Sequence, residues 1–182
     1  MSKPAARTAR VVHRSPRPPV PALPPLEALD QTHRQVLQVL DQIDALLRHI
    51  EASGVDELAR TQAATVAAFF NGHAREHHAA EEQHVFPGLL ASGNAELVQA
   101  VQRLQQDHGW LEEDWLELAP QFEAIARGYN WYDLEGLRHS LPVFTALYHE
   151  HIALEESLIY PEARRQRDAH ATGHTARASP AH

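Results

Sequence analysis

Apolar residues recur every three to four positions in four long stretches of the chain, and no stretch shows the period-two alternation of a strand. The first runs from about Leu26 to Glu51, with Leu29, His33, Val36, Leu40, Ile43 and Leu47 on one stripe. A short turn at Ser53 and Gly54 follows. The second begins near Asp56, a good N-cap, and reaches about Phe86, where Pro87 and Gly88 should end it. Its stripe holds Val66, Phe70, His73, His77 and Glu81. The third starts near Asn94, another good N-cap, and carries Leu97, Val101, Leu104, His108, Leu111, Trp115 and Leu118. Pro120 should kink or interrupt it before Gly128 closes it. The fourth spans about Asp133 to Pro161, with Pro142 inside as a kink or true start, and a stripe of Leu137, Leu141, Phe144, Tyr148, His151, Glu155 and Leu158. Long amphipathic helices with short connections predict an all-α fold, an antiparallel up-and-down four-helix bundle.

Each stripe contains a histidine. A single histidine on an apolar face is ordinarily a satisfied core residue, but four buried imidazoles need partners for eight ring nitrogens. Their heights along the predicted bundle agree. His33 and His77 each lie roughly 20 residues from the first turn, or about 30 Å at 1.5 Å per residue. Glu81 and His108 each lie about 20 Å from the second turn, and His108 and His151 stand at similar heights relative to the third. Four independent positions return to one level.

Two of these histidines open the same pattern. His77-His78-Ala79-Ala80-Glu81-Glu82 leads to Phe86-Pro87, and His151-Ile152-Ala153-Leu154-Glu155-Glu156 leads to Tyr160-Pro161. Spacing i, i+4 places imidazole and carboxylate on one helix face, a turn apart. Taken singly, such a pair is an exposed contact worth a few tenths of a kcal/mol. Repeated beside apolar stripes at one height, the two pairs plus His33 and His108 enclose a volume suited to two cations. Imidazole suits iron, zinc and copper, and a carboxylate can bridge two ions. His78 and Glu82, one residue further round, fall at a helix interface or behind the ligands.

Composition narrows the chemistry. Fourteen of 182 residues are histidine and none is cysteine, which excludes disulfides, thiolate zinc, iron–sulfur clusters and thiol nucleophiles. Residues 26–162 hold 7 Arg against 23 Asp and Glu, a balance near −16 that suits cations and argues against a nucleic-acid groove. Residues 1–25 form a Pro- and Arg-rich arm expected to be an extended, disordered tether. A tail from 166 to 182, with His170, His174 and His182, is expected to be disordered as well. The bundle domain then spans 26–165. No apolar run approaches a membrane span and no secretory pattern opens the chain, so a cytoplasmic protein is expected, without a membrane partner.

The order and spacing of His33, His77-x-x-x-Glu81, His108 and His151-x-x-x-Glu155, with Phe86-Pro87 and Tyr160-Pro161, resemble the hemerythrin-like family with its HHE cation-binding domain, over about residues 26–162. The resemblance implies an antiparallel four-helix bundle around two iron ions, with zinc or manganese as substitutes. Its members bind oxygen, sense oxygen or iron, or respond to nitric oxide and iron–sulfur damage. One departure stands out. Oxygen-carrying members have two histidines four residues apart on the third helix, whereas His108 has Leu104 at −4 and Glu112 at +4. Glu112 can replace that imidazole, or His73 can supply another nitrogen; the bland reading makes Glu112 a solvated residue and His73 a packing one. With no nucleophile–base constellation, a binding or sensing protein for oxygen or nitric oxide is expected rather than an enzyme. The alternative is an iron-donating or metal-sensing module. The sequence leaves the oligomeric state open.

Overall fold

The computed structural model describes residues 26–177, and these are helical apart from short turns. The expectations for the arm at 1–25 and for His182 lie outside the described residues, as do those for the side chains of His170 and His174. In chain order the helices are α1 (Leu26–Ser53), α2 (Glu57–Phe69), a five-residue π-helical turn (Phe70–Ala74), α3 (Arg75–His84), α4 (Phe86–Leu90), α5 (Ala95–Ala126), α6 (Leu134–Leu154), a second π turn (Glu155–Ile159) and α7 (Tyr160–Arg177). Four long rods result: α1, α2–α3, α5 and α6–α7. Neighbours pack α1 on α2, α2 on α5, α5 on α6 and α6 on α1.

Local chemistry sets the rod ends. Asp56 accepts from the Ala59 amide, Asn94 from the Glu96 and Leu97 amides, and Asp133 from the Gly136 amide, so three helix starts have side-chain caps. Gly54 and Gly128 take left-handed conformations (φ 77° and 71°) where α1 and α5 stop, a geometry that a side chain would strain.

The prolines behave differently from expectation. Pro120 and Pro142 interrupt neither α5 nor α6. Both are exposed, and so are Leu116 and Arg138, whose carbonyls lose the proline amide and can turn to water. The second rod ends at His84, close to the expected stop at Phe86-Pro87, and Pro87 lies in the first turn of the short α4. The fourth rod runs past Pro161 to Arg177 instead of fading from residue 166. The π turn just before Pro161 widens the backbone where the ring would meet the preceding turn. Arg164 pairs with Asp30 and ties α7 to α1, while Glu162 binds Arg165 and Gln166 within α7.

Two apolar clusters make the core. The larger includes Val36, Ile43, Phe70, Ala74, Leu111, Trp115, Phe122, Leu141, Phe144 and Tyr148. The smaller includes Leu29, Val85, Phe86, Leu104, Ile159 and Tyr160. Each fully buried large side chain contributes roughly 1.5–3 kcal/mol. Every rod crosses from one cluster to the other, and the order alternates along the chain. The rods α1 and α5 meet the smaller cluster first, and α2–α3 and α6–α7 meet the larger first. His33, His77 with Glu81, His108 and His151 with Glu155 fall at the crossing points. A polar layer is therefore sealed between two dry ones.

Candidate metal centre

Among the described residues, seven polar or charged ones are buried: His33, His77, Glu81, Asp107, His108, His151 and Glu155. Six of them are the residues singled out from spacing, and their donor atoms meet. His33, His77, Glu81 and Glu155 bring four donor atoms within 4.8 Å of one another, and Glu81, His108, His151 and Glu155 do the same. Both carboxylates belong to both groups. Glu81 places Oε1 3.5 Å from His77 Nε2 and Oε2 3.5 Å from His108 Nε2. Glu155 places Oε2 3.0 Å from His33 Nε2 and 3.3 Å from His151 Nε2. Each carboxylate thus spans one imidazole from either group.

These approaches are close without being hydrogen bonds for most of the atoms. His77 Nδ1, His78 Nε2, Glu81 Oε2, His108 Nε2, both ring nitrogens of His151 and both oxygens of Glu155 are buried with no hydrogen-bond partner among the described residues. Each such atom costs roughly 1–3 kcal/mol, far more than a fold would carry without return. Nitrogen and carboxylate donors crowded at this range match what two divalent cations require, and the residues present fit such ions.

Carboxylates behind the imidazoles orient them. Glu82 Oε1 lies 2.9 Å from His108 Nδ1, and Glu156 Oε1 lies 3.2 Å from His33 Nδ1. An Nδ1–H donated outward leaves Nε2 as the inward lone pair. Buried Asp107 lies 3.8 Å from His151 Nδ1. The doubled Glu of each motif therefore divides its work: the first faces inward and the second holds a histidine of a neighbouring rod. Tyr160 donates to Glu81 Oε1, and its hydroxyl lies 3.1 Å from His33 Nε2.

The protonation pattern is uneven. Burial and the neighbouring Glu155 charge push Glu81 up to about 7, against the pull of His108 and Tyr160. Burial would raise Glu155 too, but His151 and His33 hold it well below the usual carboxylate range. Burial would lower His151, yet Glu155, Asp107 and Glu81 raise it to about 9. His77 falls to about 3 through burial and the charge of His33. Burial, with His108, His151 and His77 nearby, likewise lowers His78 well below the ordinary range.

A family model, the hemerythrin HHE cation binding domain, matches residues 25–163. The chain belongs to that family. An uncharacterized protein of Haemophilus influenzae is similar, with 28% identity over 117 residues that make up 64% of this chain. The match spans 66% of that protein's length, just under two thirds. No solved structure matches. Membership in a cation-binding family and the buried His/Glu cluster together establish a metal-binding domain, for which iron is the typical ion. No described helix is long and apolar enough to cross a membrane.

The hemerythrin-family layer differs from the sequence reading at its margins. His73 is exposed on the outer side of the first π turn, and Glu112 is exposed and paired with Arg75. Neither joins the donor groups. His78, expected at an interface or behind the ligands, instead groups with His108 and His151, their donor atoms within 4.8 Å. The π turn accounts for both shifts. Its extra residue makes Ala74 the next inward position after Phe70, so His73 turns out and both His77 and His78 approach the core. Trp115 Nε1 donates to Asn71 Oδ1 at 2.8 Å and pins that turn to α5. Tyr148, one turn before His151, packs with Phe70 and Phe144. Asp107 was not legible at all, since an acid before a histidine on an acidic helix carries no distinguishing signal.

Proposed function

We propose that the chain is a non-haem di-iron protein that binds or senses oxygen or nitric oxide. The metals lie between the helices of an antiparallel up-and-down bundle, a topology supported by the alternating order in which the rods meet the two apolar clusters. The observation that carries the reading is the pair of donor groups sharing Glu81 and Glu155. His33 and His77 would hold one ion and His108 and His151 the other, with Glu81 and Glu155 available to both. Bound iron supplies redox chemistry and an affinity for diatomic ligands.

The chain's own groups set the conditions. Glu82 and Glu156 fix the His108 and His33 imidazoles with Nε2 inward, and the Asp107 carboxylate lies 3.8 Å from His151 Nδ1. The apolar clusters on either side exclude bulk water from the layer. The Tyr160 hydroxyl stands beside Glu81 and His33 as a hydrogen-bond donor within the layer. A cavity of about 360 Å³, with His78 and His108 in its wall, opens the layer to small solutes between α3 and α5.

Anaerobic titration of the metal-free protein with ferrous iron tests the reading. Saturation at two equivalents per chain is expected, followed by new visible bands on addition of air or nitric oxide. Saturation at one equivalent, or two equivalents with no response to either gas, would sink it. Reversible loss of iron to a chelator without any gas response would instead favour an iron-donating module.

A further inference from the structure

Nothing in the packing of α5 calls for a glycine at 109. Gly109 lies well inside that 32-residue helix, without the left-handed backbone of Gly54 and Gly128. A Cβ built there would meet nothing within 4 Å, so no neighbour needs the room. Alanine would make the firmer helix. What the glycine leaves behind is open space beside a buried site. Gly109 follows His108 and lines the cavity between α3 and α5, and Ala79, which follows His78, lines it too. Contacts across this cavity run in reverse order along the two rods: Arg75 pairs with Glu112, and Glu82 binds His108. Between these two bridges the wall is made of Ala79 and Gly109, at the height of the metal layer. Immediately inward stand the stacked rings of His78 and His108, 4.1 Å apart between centroids.

We infer that Ala79 and Gly109 frame the window through which a small ligand reaches the buried layer, and that their size determines which ligands arrive quickly. The inference rests on the di-iron reading above and gives it a source of selectivity. Arg75 with Glu112 and Glu82 with His108 hold the two rods on either side of the window. Two residues with little or no side chain then leave a passage between them that suits a diatomic molecule. The inward nitrogens of His78 and His108 are themselves buried, so the final step past the rings is a side-chain motion. The window decides what waits outside them.

The test compares the parent with Gly109→Leu, Ala79→Leu and Gly109→Ala. Each is loaded anaerobically with ferrous iron and mixed with nitric oxide, and association and dissociation rates are measured separately. A narrowed passage retards entry and exit alike and leaves the bound ligand untouched. Both leucine variants should therefore slow the two rates by about tenfold or more, with Kd held within about twofold. Metal-free Gly109→Ala should unfold at a urea concentration equal to or above that of the parent. Ser140→Leu, in the wall of the cavity between α5 and α6, should change neither rate. The inference is overturned if both leucine variants bind as fast as the parent, or if association slows while dissociation does not. It is overturned too if Gly109→Ala destabilises the metal-free fold, or if Ser140→Leu slows entry as much. A parent with no response to the gas would instead strike the di-iron reading, and the window with it.

Discussion

Two copies of one sequence pattern face each other across the metal layer, and they end up in opposite electrical states. Glu81 and Glu155 each follow a histidine by four residues, are equally buried, and each spans the two donor groups. Yet Glu155 is held ionised by His151 and His33, while Glu81, next to that charge, is pushed up to about 7. The aromatic residues differ in the same sense. Tyr160, from the second copy, gives its hydroxyl to Glu81, whereas Phe86, from the first, only stacks on His108. Repetition in sequence gives symmetric placement of ligands, but two like charges a few ångströms apart cannot share a dry layer equally. Without metal, one carboxylate neutralises the protonated histidines and the other keeps its own proton.

The sharpest way to break this comparison is to make both carboxylates amides. In the metal-free protein at pH 6.5, Glu155→Gln strands His33 and His151 without their counter-charge and should cost about 3 kcal/mol. Glu81→Gln replaces a largely protonated acid by a neutral isostere and should cost under about 1 kcal/mol. Urea unfolding of the two variants measures the difference; equal losses would show that the carboxylates are equivalent. Both variants should lose metal, because both donor groups include both carboxylates.

A smaller effect sharpens the comparison one step outward. Glu82→Ala and Glu156→Ala release His108 and His33 from their outer partners, and each should weaken metal binding by about 10- to 100-fold. Because Glu82 and Glu156 serve opposite donor groups, each variant should weaken a different equivalent in a chelator titration. A single shared equivalent would mean that the groups are not separate.

The smallest effect is on pH dependence. His151 has a folded pKa of about 9 against 6.5 unfolded, so between these values the folded chain binds more protons and loses stability as pH rises. Glu81, at about 7 against 4.5, acts in the same direction at lower pH. His77, at about 3 against 6.5, acts the opposite way, but only below 6.5. The metal-free melting temperature should therefore fall by several degrees from pH 6.5 to 9. Iron-loaded protein should show little of this slope, since its ligands have already given up their protons. A flat metal-free profile would remove His151 from its charged pairing.

Much of this was legible in the sequence because it depended on period. The four apolar stripes and the convergence of six donors follow from 3.6 residues per turn and the rise per residue, and the caps at Asp56 and Asn94 from residue type. What resisted reading depended on departures from that period. A regular helix puts His73 on the stripe, and only a π turn turns it outward and draws His78 in. Pro120, Pro142 and Pro161 look like breaks because their cost is local, whereas its relief lies in solvent-facing carbonyls or a widened turn. Asp107 and the outer roles of Glu82 and Glu156 needed three-dimensional neighbours, which spacing along a single helix does not reveal.

The π turn at Phe70–Ala74 also has a consequence for how this chain can vary in length. One residue more than an α-helical turn shifts the angular phase of everything beyond it by about 100°. Deleting Gly72 would leave a smoother helix with better backbone hydrogen bonds, and would rotate His77, His78 and Glu81 together away from their partners. No side-chain substitution can imitate or repair that shift. The metal layer is written partly as a miscount in a screw thread, and lineages that keep every ligand but lose that single residue would keep the fold and forfeit the site.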